Sequence, residues 1–298
     1  MMNEASSIAL GFFDGVHIAH REIIKRCVDA AREKNLRPVA LTFDVSPPEF
    51  LGKSPSYITN NDEKSALINA LGCETNFLRT TKELLATEPV DFVKNVLIEK
   101  YTAKYIVCGF NYRFGKNASG DVKLLREIAG KYGAEVFVCG CVTLENERVS
   151  SSRIRSLITD GNIKKANEML GRRFSVSGVV SEGKHLGKTI GFPTANVYVS
   201  KNMIAPKFGV YHTIVSIGEK RHHAITNVGI NPTVGGEKLR TETYIPDVDM
   251  NLYNERIKIE FIDFIRSERK FAGISELKRQ IESDLERLMK DNETWTCS

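Results

Sequence analysis

The chain has 298 residues, 42% hydrophobic and 27% charged, with a formal net charge of +5 at pH 7. That length exceeds an ordinary domain of ~100–200 residues and predicts two, in a globular chain whose apolar runs fall short of the ~18 residues of a membrane span. The mild, dispersed charge suits anionic small molecules such as nucleotides and argues against nucleic acid as a partner.

Residues 6–13, "SSIALGFF", read as a buried strand. The helix that follows, "HREIIKRCVDAAREKN", sets Ile23, Cys27, Ala30 and Ala31 at i, i+4, i+7 and i+8, one apolar face. Next come a strand "RPVALTF", a helix "VDFVKNVLIEKY", a strand "KYIVCGF", a helix "DVKLLREIAGKYG" and a strand "AEVFVCGC". Strand and helix alternate at βαβ spacing to about residue 145, predicting a parallel sheet with helices on both faces.

After residue 171 the rhythm changes. "FSVSGVV", "TANVYV", "GVYHTIVSIG", "HHAITNVG", "TETYI" and "RIKIEFIDFI" are short strands broken by Gly, Pro and Asn. In the last, Ile257, Ile259 and Phe261 alternate with charged residues, so a small antiparallel barrel is predicted. "ISELKRQIESDLERLMK" places Ile274, Leu277, Ile281, Leu285 and Leu288 on one face of a closing helix packed on that barrel. The two domains are drawn as 1–171, with a helical linker at 158–172, and 172–298.

Cys27, Cys73, Cys108, Cys139, Cys141 and Cys297 form no C-x-x-C and mostly sit in apolar runs. They read as reduced core thiols of a cytoplasmic protein. Glu4, with no Lys or Arg before Arg21, is unlike a secretory leader.

"GKHLGKTIGFPTAN" (183–196) looks at first like a phosphate-binding loop. A P-loop needs G-x-x-x-x-G-K-[ST] and a helix directly after it. Gly183 and Gly187 are one residue too close, Glu182 sits where the first glycine belongs, and Gly191 and Pro193 fall where the helix would run. The stretch is instead a Gly-rich turn leading into a Thr/Asn pair.

"GFFDGVHIAH" joins the first strand to the first helix, at the ligand crevice of an open α/β sheet. His17 and His20 are one helical turn apart, beside a helix N-terminus, and suit charge stabilisation on a transferring phosphate. Surface or capping histidines, or loosely a metal site, would show the same spacing. In "ERVSSSRIR", Arg148, Ser150, Ser151, Ser152, Arg153 and Arg155 gather at a helix start, either for a polyphosphate or as an ordinary cap with solvated arginines. "CGFNYRFGKNASGD" is a strand end running into a Gly-rich loop that carries Asn111 and Arg113.

These three stretches, in this order on a βα alternation, resemble the FMN adenylyltransferase module of bacterial FAD synthetases, a Rossmann-like nucleotidyltransferase. "GKTIGFPTANV", "FGVY", "TNVGINPTVGG" and "TETYIPDVDMNLYNERIKIEFIDFIRSERKF" resemble riboflavin kinase, a β-barrel without a P-loop. Together they are similar to the bifunctional riboflavin kinase/FAD synthetase family along nearly the whole chain. The resemblance implies two ATP-dependent steps, riboflavin to FMN and FMN to FAD, with Mg²⁺ as cofactor, small-molecule substrates, and neither nucleic acid nor membrane.

It also implies residues. Gly11, Phe13, Asp14, Asn111, Arg113, Arg148, Ser150, Ser151, Ser152 and Arg155 would bind nucleotide or FMN, with His17 and His20 catalytic. In the second half Gly183, Lys184, Gly187, Thr189, Gly191 and Pro193 would line the nucleotide site. Thr194 and Asn196 would hold Mg²⁺, Glu242 would be the base, and Arg266 would be flavin-side or structural. Ala19 stands where the family has Gly, adding a methyl near the nucleotide. Ser46 stands where the family has His, removing a donor. Two narrower readings stay open: a kinase with a degenerate first half, and a non-enzymatic flavin sensor, against which an intact Glu242 argues.

Overall fold

A computed structural model describes residues 4–182, 191–233, 236–246, 248 and 251–293. By its internal contacts the chain divides into two units at Arg153/Ile154.

In the first unit, β1 (Ser6–Leu10), β2 (Arg37–Phe43), β3 (Glu74–Leu78), β4 (Ala103–Gly109) and β5 (Glu135–Cys139) form a parallel sheet in the order β3-β2-β1-β4-β5. Its helices are α1 (Ile18–Lys34), the short α2 (Pro47–Phe50), α3 (Asn61–Asn69), the short α4 (Lys82–Leu85) and α5 (Pro89–Asp91), and α6 (Val122–Lys131). Strand residues alternate between faces. Ile8, Leu10, Val39, Leu41, Ile106 and Cys108 share a core with Leu97, Leu125 and Ile128, while Ala9, Ala40, Tyr105 and Val107 share another with Ile24, Cys27 and Ile68. Both faces are covered, as the βα alternation predicts. Residues Phe92–Lys100 wind as a π-helix continuing α5. Its buried residues, Phe92, Val93 and Leu97, fit that wider turn because Phe92 and Leu97 are five apart. A two-stranded hairpin, β6 (Thr143–Leu144) and β7 (Glu147–Arg148), follows β5; Glu145 and Asn146 at its tip have φ of 48° and 65°, as a type I′ turn demands.

Helix α7 (Ser151–Asp160) crosses the division, and α8 (Ile163–Leu170) lies in the second unit. There β8 (Ser175–Ser181), β9 (Thr194–Tyr198), β10 (Gly209–Ile217), β11 (Lys220–Thr233), β12 (Gly236–Tyr244) and β13 (Arg256–Arg266) close an antiparallel barrel in the order β10-β11-β12-β9-β8-β13. Ile257, Ile259 and Phe261 point inward, none more than 1% exposed. Hydroxyls of Thr213, Thr226 and Thr243 form a buried cross-strand chain at 2.8 and 2.9 Å. The C-terminal helix is α9 (Ile274–Glu293). Its Leu285 packs against Val210 and Ile225, but Ile274 is 56% exposed and so is not part of the predicted apolar face; it is the first residue of the helix, where the stripe has no barrel partner. The Leu288 side chain lies outside the described residues.

The linker helices side with the barrel for a physical reason. Asn167 of α8 donates to the Phe261 carbonyl at 2.9 Å and accepts the Phe174 N–H at 2.7 Å. Ile163, Ala166, Met169 and Leu170 are buried on the same helix, which packs on β13.

Candidate active sites

Between β1 and β4 the strand order of the sheet reverses, and at the carboxyl ends of the strands a cavity of about 660 Å³ opens. The segment after β1 supplies Gly11, Phe13, His17, Ala19 and His20. The loop after β4 supplies Asn111 and Arg113, and the hairpin and α7 supply Arg148, Ser150, Ser151 and Ser152. The three stretches singled out in the sequence therefore meet.

The segment after β1 is tightly built. A Cβ on Gly11 would come within 2.8 Å of the Phe13 ring. Phe13 and Val16 have φ of 55° and 39°, and a β-branched residue there is strained, a feature that clusters at functional sites. His17 is the N-cap of α1, its Nδ1 accepting the His20 N–H at 3.3 Å. That bond leaves Nε2 to carry the proton of a neutral imidazole. The two rings stack 3.6 Å apart, and Phe13 meets His20 edge-on at 5.4 Å. Burial, then the neighbouring His17 and Lys64, hold the His20 pKa well below its ordinary value. His20 is therefore neutral at pH 7, and its enclosed Nδ1 has no hydrogen-bond partner.

Two residues of the first half lie elsewhere than expected. Asp14 does not line the cavity: its carboxylate is 3% exposed and accepts the N–H groups of Ile58 at 2.9 Å and Thr59 at 3.3 Å. It anchors a neighbouring loop, because two backbone donors satisfy it there. Ser46 likewise faces away from the wall; its Oγ caps α2, accepting from Glu49 N at 3.3 Å and from the Tyr57 hydroxyl at 2.7 Å. Among the three serines, Ser150 caps α7 by accepting the Arg153 N–H at 3.2 Å, and Ser151 Oγ donates to the Asp14 carbonyl at 2.9 Å. The N-termini of α1 and α7 both open on the cavity, adding partial positive charge. Arg148 stacks over the Phe110 ring at 4.8 Å. Arg155 lies on α7 beyond the division, in the second unit. Cys141, read as a core thiol, is exposed and lines this cavity, since it sits past the end of β5.

In the barrel, Gly191 has φ of 87° and leads through Pro193 directly into strand β9, not a helix, which removes the P-loop reading. Gly183, Lys184, Gly187 and Thr189 lie outside the described residues. Strand register fixes the rest. Asn227 of β11, Glu242 of β12, Asn196 of β9 and Ser181 of β8 form one cross-strand rank. Thr194 stands two residues from Asn196 and pairs with Tyr244. Opposed pairs of this kind bring Cβ atoms within ~4.5–5.5 Å.

Two cavities flank this rank, and Thr194 lines both. One, about 580 Å³, is walled by Phe192, Tyr244, Phe271 and residues of α9, with Glu242, Asn227 and Glu268 as polar groups. The other, about 480 Å³, is bounded by Pro193, Ala195, Ile245, Asn251 and Tyr253. The Asn196 amide Nδ2 donates to the Thr194 carbonyl at 3.2 Å, while its buried Oδ1 has no partner. Arg266 lines the larger cavity, yet its guanidinium grips Asp284 of α9 with three contacts of 2.8–3.2 Å, so it clamps that helix to the barrel. Arg240, unforeseen in the sequence, forms an ion pair with Glu242 from the same face of β12. Lys64 was equally unforeseen, although its place four residues before the buried Ile68 marks it as inward-facing. No group of three or more His, Cys, Asp or Glu able to hold a metal occurs among the described residues.

The FAD synthetase family matches residues 1–153 and the riboflavin kinase family residues 170–291. Proteins named bifunctional riboflavin kinase/FMN adenylyltransferase are similar over most of the chain. The one from Listeria monocytogenes is 35% identical, covering 93% of this chain and 89% of its own. That of Bacillus subtilis is 34% identical over 96% and 92%, and that of Escherichia coli 32% over 94% and 91%. A crystal structure titled macrolide-efflux protein, from Streptococcus pneumoniae, superimposes with a TM-score of 0.86 at 32% identity, covering 95% of this chain and 93% of that one.

Proposed function

The chain belongs to the bifunctional riboflavin kinase/FMN adenylyltransferase family, and from that premise we propose which of its cavities does which reaction. It carries both modules, riboflavin kinase and FAD synthetase. The barrel cavities are assigned to phosphorylation of riboflavin and the first-unit cavity to adenylylation of FMN.

The observation that carries the kinase assignment is the register of Glu242 opposite Asn196, beside Thr194 on the wall shared by two cavities. The larger, with aromatic and apolar walls, suits an isoalloxazine. The smaller takes the nucleotide, so the ribityl hydroxyl and the γ-phosphate meet at Thr194. Glu242 accepts the hydroxyl proton as its oxygen attacks the γ-phosphorus, the bond to the β-phosphate oxygen breaks, and ADP leaves. Arg240, ion-paired with it, keeps the Glu242 carboxylate oriented. The residues present fit Mg²⁺: the orphaned Oδ1 of Asn196 and the Thr194 hydroxyl are hard oxygen donors. Bound there with ATP, the ion would offset charge on the phosphates.

In the first unit an FMN phosphate oxygen attacks the α-phosphorus of ATP, and pyrophosphate departs. No protein group needs to bond covalently, so the chain's task is positioning and charge stabilisation. His17, His20, the N-termini of α1 and α7, and Arg148 supply donors and positive potential where the phosphates would lie. Four buried cysteines without disulfides fit a reducing compartment, the cytoplasm. Among the described residues no helix is long and apolar enough to cross a membrane.

The test is incubation with riboflavin and Mg-ATP, followed by separation of the fluorescent flavins. FMN and FAD together are expected. FMN alone would leave the first-unit cavity without its assigned reaction.

A further inference from the structure

Lys64 of α3 is 1% exposed, and its Nζ has no hydrogen-bond partner. The ammonium lies 4.2 Å from the centroid of Phe12 and 5.5 Å from that of Phe77. Phe12 is a wall of the first-unit cavity. Asp14 and Asp44 attract the ammonium, but both carboxylates are already committed to backbone. Asp14 accepts from Ile58 and Thr59, and Asp44 from Val45 at 2.7 Å and Thr80 at 2.8 Å. A buried cation without a hydrogen bond is costly, and a methionine would fill this core position without that cost. Packing therefore does not account for the charge. Its neighbours do: the segment after β1, the end of β2 and the aromatic wall all converge on it.

We propose that Lys64 is a positioning residue for adenylyl transfer: its buried ammonium seats the Phe12 wall, ties the segment after β1 to β3 through Phe12 and Phe77, and places a positive charge that acts on the His17–His20 pair. This rests on assigning the first-unit cavity to adenylyl transfer. The groups acting on His20 are His17, from its own segment, and Lys64, from α3. Those acting on Lys64 are Asp14, after β1, and Asp44, after β2. Burial and His17 hold His20 neutral and the Lys64 charge adds to them, so His20 is a hydrogen-bond donor and acceptor and not a second cation. Without that charge, His20 titrates closer to an ordinary imidazole.

The experiment uses the full chain with Lys64→Met, Lys64→Arg and His20→Ala. FMN-to-FAD rates are measured against pH, His20 is titrated by NMR, and riboflavin phosphorylation reports that the protein is intact. Lys64→Met is expected to lower kcat/KM for FAD formation roughly 10²-fold, the scale of a misplaced reacting geometry, and to move the His20 titration to higher pH. Lys64→Arg should leave the His20 titration where it is in the parent, because the charge remains. Riboflavin phosphorylation should be unchanged in both. The proposal is overturned if Lys64→Met alters neither rate nor titration, or if Met and Arg move His20 equally. If Lys64→Met does not fold, Lys64→Gln takes its place, and a parent-like His20 titration and FAD rate in that variant overturns the proposal. Unchanged FAD formation in His20→Ala would instead sink the assignment of the cavity, a failure the NMR titration of Lys64→Met keeps separate.

Discussion

The imidazoles of His17 and His20 stack 3.6 Å apart and 16° from parallel, with the His17 Nδ1 accepting the His20 backbone N–H. Two like charges at that spacing repel strongly, so the pair carries at most one positive charge near neutrality. The contribution proposed for it is directed hydrogen-bond donation toward a bound phosphate. Replacing both by alanine should cut FAD formation from FMN by at least about 10²-fold, the scale of losing one donor aimed at a developing oxyanion. FMN formation from riboflavin should persist. The check is FAD and pyrophosphate release from supplied FMN; a double variant as fast as the parent would make the histidines structural.

Glu242 faces Asn196 across β12 and β9 and is held by Arg240. Glu242→Gln keeps the shape and removes the base, so FMN formation should fall by ~10²–10⁴-fold. Conversion of supplied FMN to FAD should be untouched. Arg240→Met should weaken the same step less, because it leaves the carboxylate in place and removes only the partner that orients it. A Glu242→Gln enzyme making FMN at the parent rate would remove Glu242 from the chemistry.

The buried Asn196 Oδ1 has no protein partner, which leaves a hard donor for a cation. Chelation of divalent ions should abolish FMN formation, and added Mg²⁺ should restore it. Asn196→Ala should raise the Mg²⁺ concentration for half-maximal FMN formation at least roughly tenfold, the lower bound seen even for outer-shell partners. An unchanged Mg²⁺ dependence would place the ion elsewhere.

The sequence patterns that proved readable were those with a period or a fixed spacing. Apolar runs gave β1, β2, β4 and β5, and alternation in β13 gave the inward set Ile257, Ile259 and Phe261. Strand β3 escaped because "ETNFL" opens on three polar residues and so makes no apolar run, unlike "EVFVC" of β5. The π winding of Phe92–Lys100 escaped because its apolar residues also fit an ordinary helix. Motif order brought His17, Asn111, Arg148 and Ser150 to one cavity, but partner choice was not in the motif. Nothing local says that Asp14 is satisfied by Ile58 and Thr59, or that Arg266 is committed to Asp284. Those bonds join residues 44 and 18 positions apart.

Lys64 also makes a stability prediction. Burial lowers its pKa from 10.5 to about 8, against the pull of Asp14 and Asp44. Between those values the unfolded chain binds the proton and the folded chain does not, so this group's contribution to stability rises with pH from about 8 to 10.5. Below about 8 the burial cost is fully present, worth roughly 3 kcal/mol. Lys64→Met should therefore be more stable than the parent at pH 7 by up to that amount, with the difference shrinking toward pH 10.5. Denaturant midpoints of the two proteins across pH 7–10.5 read it directly. A Lys64→Met protein less stable than the parent at pH 7 would mean that the ammonium holds the fold together.

The boundary between the halves yields the last prediction. The chain's rhythm changes at 171, whereas contacts divide it at Arg153/Ile154 and the riboflavin kinase family match begins at 170. The difference is α8. Its Ile163, Met169 and Leu170 are buried at ~1.5–3 kcal/mol each, and Asn167 satisfies both the Phe174 N–H and the Phe261 carbonyl. A fragment 172–298 keeps Glu242, Thr194 and Asn196 and should phosphorylate riboflavin, but it exposes the surface of β13 that α8 covers and leaves those two backbone groups to water. A fragment 154–298 keeps them covered. Both are expected to form FMN and neither FAD, and the longer should unfold at a denaturant concentration clearly above the shorter. Equal midpoints would show that α8 adds nothing to the barrel and that residue 171 is the working boundary. An active longer fragment beside an insoluble shorter one would make α7 and α8 part of the kinase domain.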